Sequence, residues 1–194
     1  MNMIFNQNVF ISPQMNLPNQ QMNLNNKQKT LIRLKKEFQL CKLDEDLAQI
    51  GCAFGLYPDN NIFTWRVTMF GPQDTPYKDG IFTIKITFPQ DYPNHGAEFK
   101  FMNKIYHLNV DFRNDLGHIS LNNINEWHTT GKVRSMPVYG VKQALFDIFC
   151  LFYKQGFESP YDEEMAMQYL NDRKKFDEIA KEWAMKYARL SYEV

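Results

Sequence analysis

Charge is missing from residues 1–26, MNMIFNQNVFISPQMNLPNQQMNLNN, in a chain of 194 residues that carries 22 basic against 22 acidic side chains. A presequence for organelle import requires arginine on an amphipathic helix, and a secretory signal requires a charged start and a longer apolar centre. This segment matches neither. A formal net charge of zero supplies no field to gather nucleic acid or an anionic membrane, which directs attention to protein partners. Cysteine is scarce as well. Cys41, Cys52 and Cys150 form neither an even disulfide set nor a closely spaced ligand group, and the four histidines do not stand at zinc spacing to them. The expectation is an intracellular, reduced protein with no metal and no cofactor, cytoplasmic or nuclear by default. Long apolar runs are absent too: the richest, ALFDIFCLF, contains Asp147 and soon meets Lys154, so no transmembrane segment is expected.

What remains is the composition of a globular domain, 44% hydrophobic and 15% aromatic, long enough for one core preceded by a tail. Residues 1–27 read as that tail, rich in Asn and Gln and too polar to fold alone. Ile4, Phe5, Val9, Phe10 and Ile11 are its candidate anchors on a partner, Phe5 and Phe10 foremost. Residues 28–194 read as the domain. In KQKTLIRLKKEFQLCKL, Leu31, Leu34, Phe38 and Cys41 recur at helical spacing, with Arg33, Lys35 and Lys36 opposite. From Ile62 the period changes to two: Phe63, Trp65, Val67 and Met69 alternate with polar residues, GPQDTPYKDG turns the chain, and Phe82, Ile84, Ile86 and Phe88 alternate again. EFKFM predicts a further extended piece, followed by an irregular stretch from Asn103 to Pro137. Helix returns with Val141, Leu145, Ile148 and Phe152 on one stripe. A second helix is expected to start at SPYDEE, with Ser159 as cap and Pro160 in the first turn. The last, in NDRKKFDEIAKEWAMKYARL, turns Phe176, Ile179, Ala180, Trp183 and Tyr187 inward. Strands and helices that do not alternate predict an α+β fold: an N-terminal helix, an antiparallel four-stranded meander and C-terminal helices.

GPQDTPYKDGIFTIKITFPQDYP resembles the ubiquitin-conjugating enzyme family, whose pattern is a GP-x-D-x-x-Y-x-x-G hairpin followed by FP-x-DYP. The resemblance continues through IYHLNV, like the family's His-Pro-Asn segment, through GHISLNNINEW, like its Gly-x-Ile-Cys-Leu-Asp-Ile-Leu and Trp, and into NDRKKFDEIAKEWAMKYA. It covers roughly residues 28 to 190 in one colinear order. It implies the fold of that family, and a site at which a cysteine takes ubiquitin as a thioester before a lysine amine attacks it.

Ser120 stands where that cysteine belongs. Leu108 replaces the proline between His107 and Asn109, the paired prolines after DYP have become Gly96 and Ala97, Asn94 replaces the phenylalanine that docks ligases, and HTTGKVRSM (128–136) reads as an insertion. A thiol ionises near pH 8.5 and attacks even as a minor thiolate, whereas a serine needs a positioned base. His118, two residues from Ser120 on an extended segment, faces the other way. By the resemblance His107 is structural and Asn109 holds the oxyanion position, which without a nucleophile leaves it a loop brace. Cys150, among Ile148, Phe149, Leu151 and Phe152, reads as buried and unreactive.

The expected function is that of a catalytically inactive relative kept as a non-covalent binding or structural subunit of a larger protein assembly. The resemblance makes Arg33 and Lys36 its docking face for the activating enzyme, and the partners are ubiquitin, a ubiquitin-pathway enzyme or a multi-subunit complex. Its compartment would follow that complex, an organelle included. The alternative is an active conjugating enzyme, working through cysteine at position 120 and presented in a Cys-to-Ser form. An engineered change would leave Leu108, Gly96, Ala97 and Asn94 untouched, which favours lost activity.

Overall fold

A computed structural model describes residues 17–57, 60–111, 113, 117–132, 139–157 and 160–189, with side chains from residue 27 onward. Helix α1 spans Leu17–Lys42 and so begins inside the segment read as a tail. Its inward stripe is Thr30, Leu34, Phe38 and Cys41, with Leu31 only half-buried. Thr30 is buried because its hydroxyl donates to the Tyr92 carbonyl at 2.8 Å, anchoring the helix to the loop before β4. A short α2, Glu45–Gln49, is capped by Asp44, whose side chain accepts the Leu47 N–H.

Strands β1 (Ala53–Leu56), β2 (Thr64–Phe70), β3 (Ile81–Thr87) and β4 (Glu98–Phe101) form the antiparallel meander. The period of two is realised: Trp65, Val67, Met69, Phe82, Ile84 and Ile86 are fully buried on one face. Phe38 of α1 meets Trp65 edge-on at 5.0 Å, and Phe88 packs on its other side at 4.5 Å. The sheet gains two strands that the sequence did not announce, β5 (Val110–Asp111) and β6 (His118–Ile119), in the order β1-β2-β3-β4-β6-β5. Two residues each are too few to show a period.

The stretch expected to be irregular also contains a helix, α3, Asn122–Thr130, whose Ile124 and Trp127 are buried. Gly131 ends it in the left-handed region at φ 70°. The start of the apparent insertion is therefore the last turn of α3, while residues 133–138 lie outside the described residues. Helix α4 (Val141–Leu151) buries Val141, Leu145 and Ile148, and Phe152 follows its end, also buried. Helix α5 is Glu163–Asn171 and its cap is Asp162, which accepts the Met165 N–H at 3.0 Å, not Ser159, which lies outside the described residues. Glu163 and Glu164 occupy the first turn, where the helix dipole favours them. Helix α6 (Arg173–Tyr187) turns Phe176, Ala180 and Ala184 fully inward, with Ile179, Trp183 and Tyr187 half-buried. Among the described residues no helix is long and apolar enough to cross a membrane.

Candidate functional site

Ser120 follows β6 directly and is buried, and its N–H donates to the Asn109 carbonyl at 2.8 Å. The loop carrying Asn109 is fixed from inside by His107. Its Nε2–H donates to the Leu151 carbonyl at 3.1 Å, and its Nδ1 accepts the Asn109 N–H at 3.0 Å. These partners select one neutral tautomer, and burial lowers the imidazole pKa from 6.5 to about 4.

That shift has a pH signature. Above pH 6.5 the ring is neutral in both states and costs nothing. As pH falls, the unfolded chain takes up a proton near 6.5 while the folded chain refuses it until about pH 4, so stability drains away across that window, by about 3 kcal/mol in all. His107→Gln is expected to flatten the decline between pH 6.5 and 4 in denaturant titrations. An equally steep profile in the variant would assign the acid sensitivity elsewhere.

The Asn109 side chain closes a ring with Gly156. Its Nδ2 donates to the Gly156 carbonyl at 3.0 Å, and its Oδ1 accepts the Gly156 N–H at 2.8 Å. The amide thereby braces the segment after α4 against the loop before β5. Leu108, fully buried, donates its N–H to Gln155 Oε1 at 2.8 Å, a bond that proline cannot make. Gln155 Nε2 donates in turn to the Tyr77 hydroxyl at 2.9 Å, which donates to the Tyr106 carbonyl at 2.8 Å. Tyr77, from the Gly-Pro turn, is thus wired to the site. Sequence reading missed Gln155, and no local signal marks it.

His118 lies in β6 with its Nδ1 buried and without a hydrogen-bond partner among the described residues. His107, with both nitrogens given to backbone, is likewise not placed to take a proton from Ser120.

A groove of about 660 Å³ opens beside Ser120, lined by Asn109, Asn123, Asp147, Cys150 and Phe157 among others. Asp147 is engaged there, accepting from Asn123 Nδ2 at 3.1 Å and the Tyr139 hydroxyl at 2.8 Å. Cys150, expected to be buried, is exposed in this groove: the inward face of α4 is taken by Ile148 and Leu151. Cys41 and Cys52 are the shielded thiols, each pushed up to about 12 chiefly by burial. Cys150 is therefore expected to take up iodoacetamide at neutral pH while Cys41 and Cys52 react only on unfolding. Peptide mapping checks this, and equal labelling of the three would contradict the packing.

On α1, Arg33 is partly committed to the fold, its guanidinium 5.3 Å from the Tyr92 ring centre and its Nε 3.6 Å from Glu37. Lys36 is exposed beside the exposed Ile32 and Leu40. Phe5 and Phe10 lie outside the described residues. Asn94 is exposed in the loop before β4. Gly96 there donates its N–H to the Trp127 carbonyl at 2.9 Å, and a Cβ on it would stand 2.5 Å from the Trp127 ring.

The family model described as ubiquitin-conjugating enzyme matches residues 33–184. The chain is 32% identical over 160 residues to a protein of Arabidopsis thaliana named probable ubiquitin-conjugating enzyme E2 31, covering 82% of this chain and 94% of that one. Among solved structures it is similar to the E2 domain of a Toxoplasma gondii ubiquitin conjugating enzyme, with a TM-score of 0.65 and 29% identity over 82% of this chain and 99% of that one.

Proposed function

Because the chain belongs to the ubiquitin-conjugating enzyme family, we propose that it keeps the fold and protein-binding habit of that family without the transfer chemistry, acting as a non-covalent binding or structural subunit of a protein assembly. The observation that carries this reading is the use made of the residues around Ser120. His107 gives both nitrogens to backbone, Asn109 gives both ends of its amide to Gly156, and the Leu108 N–H feeds a buried chain through Gln155. The imidazole that would have to accept a proton has both nitrogens engaged, and the amide that would have to meet an oxyanion is fixed in orientation by bracing two segments. A serine hydroxyl stays protonated at neutral pH unless a positioned base removes its proton, and His107 is committed to backbone partners.

The surfaces for partners are the exposed face of α1 around Lys36, with Arg33 at its edge, and the uncharged segment bearing Phe5 and Phe10. Ubiquitin-pathway proteins are the first partners to try, and the compartment follows the assembly.

The test incubates the full chain with activating enzyme, ATP and ubiquitin, and reads the mass of the intact protein beside the proteins recovered with it natively. The expected result is an unmodified chain within a stoichiometric complex. A base-labile ubiquitin ester on Ser120, or cysteine at position 120 in the native protein, would overturn it.

A further inference from the structure

The outer side of α1 carries apolar side chains that the domain leaves bare. Ile32 is 70% and Leu40 60% exposed, and both border a depression of about 460 Å³ whose other lining is Lys29, Arg33, Lys36 and Glu37. Ile32, Lys36 and Leu40 stand four residues apart in turn, so they follow one another along one side of the helix, about 12 Å from first to last. Two large aliphatic side chains held together in an otherwise charged lining are the mark of a contact surface.

Charge decides the occupant. A second copy laid on the same face about a two-fold axis brings Lys36 against Lys36, because that residue is the midpoint of the row. A basic partner meets Lys29, Arg33 and Lys36. An acidic peptide would answer the lysines and leave Ile32 and Leu40 bare. The segment before α1 has none of these difficulties: residues 1–16 hold no charged side chain, include Ile4, Phe5, Val9, Phe10 and Ile11, and join the N-terminus of the same helix.

We infer that residues 1–16 turn back along α1 and lay Val9, Gln7 and Phe5 over Ile32, Lys36 and Leu40. Reach and register agree. Ile32 lies about 22 Å along the axis from Leu17, the first residue of α1, and the chain from Leu17 back to Val9 spans about 26 Å when extended. From Val9 to Phe5 an extended chain covers about 13 Å, the length of the row. Alternate residues of an extended segment share a face, so Val9, Gln7 and Phe5 point the same way. The Gln7 amide oxygen then comes to Lys36, which has three N–H donors to offer, while the apolar pair meets Ile32 and Leu40. Pro13, which favours extended backbone in itself and in the residue before it, lies in the connecting stretch. Tethering holds the segment at an effective concentration of about millimolar, so a contact too weak for a separate peptide suffices here. Ile4 and Phe10 fall on the opposite side of the segment and remain for a partner. On the reading of this chain as an assembly subunit, a partner of α1 meets a covered face and must displace the segment. The contact itself needs no partner, and its test stands apart from that reading.

The experiment places p-benzoylphenylalanine at position 5 of the full-length protein, irradiates the purified chain alone at low and high concentration, and maps the linked peptides by mass spectrometry. The expected link joins position 5 to the α1 peptide containing Leu40, within one chain and in a yield indifferent to concentration. Ile32→Asp with Leu40→Asp is expected to lower that yield about tenfold or more, with helix content unchanged by circular dichroism. Met185→Asp, at an exposed apolar position on α6, is expected to leave it intact. Should the double variant disturb folding, Ile32→Ser with Leu40→Ser replaces it. Links between chains that rise with concentration would overturn the proposal in favour of a second copy. Links scattered over the surface, no link, or a yield indifferent to both double variants would overturn it outright.

Discussion

Ser120→Cys, supplied with activating enzyme, ATP and ubiquitin, is expected to discharge to lysine about two to three orders of magnitude more slowly than a working conjugating enzyme, the loss that accompanies removal of one oxyanion donor. The thiol itself would be adequate. What it would lack is a donor free to turn, because the Asn109 amide is held at both ends by Gly156, which fixes the direction of its second N–H. Turning that amide towards an oxyanion breaks two bonds and releases the segment after α4. A single-turnover assay separates the steps: if thioester forms and then waits, the deficit lies in aminolysis. Discharge at an ordinary rate would mean that Ser120 is a substitution in an otherwise competent enzyme.

The second large effect concerns Gly96→Pro, which restores the family's residue and is expected to destabilise the domain by about 3 kcal/mol or more. Two losses combine. The N–H that bonds the Trp127 carbonyl disappears, and the new ring occupies space where a Cβ already meets the Trp127 ring at 2.5 Å and its carbonyl at 2.7 Å. Trp127 cannot easily yield, since Tyr92, Phe99 and Tyr139 pack around it. Trp127→Ala alone should cost about 3–5 kcal/mol. The double variant should fall well short of the sum, because the cavity relieves the clash. Strict additivity in denaturant unfolding would show that Gly96 is small for another reason.

The legible parts of this protein were those governed by local period. Alternation in β2 and β3, the α4 stripe and the inward face of α6 are each set by which side chains can reach one core. Cys150 was readable and was misjudged: it sits two residues after Ile148, which on a helix places it across from the buried stripe, whatever the hydrophobicity of its neighbours. Helix α3 was harder. NNINEWHTT is poor in strong helix formers, and burial of Ile124 and Trp127 accompanies the helix against its propensity. Ser159 and Asp162 are both competent caps, and only the position of the first turn separates them. Within the site, Ser120, His107 and Asn109 were identified by resemblance, but Asn109 and Gly156 are 47 residues apart. A bond across that separation leaves no mark on either local sequence.

The Leu108 to Gln155 bond bears on reversibility. A proline at 108 would withdraw the donor and leave the Gln155 carbonyl oxygen buried and unmatched, at a cost of about 1–3 kcal/mol. Replacing Gln155 first would instead strand the Leu108 N–H and remove the donor to Tyr77. Either single change therefore passes through a less stable molecule. The Leu108 N–H and the Gln155 and Tyr77 side chains therefore behave as one unit: changing any member alone leaves a buried group of another unmatched, so the loop before β5 and the segment after α4 can be altered only together.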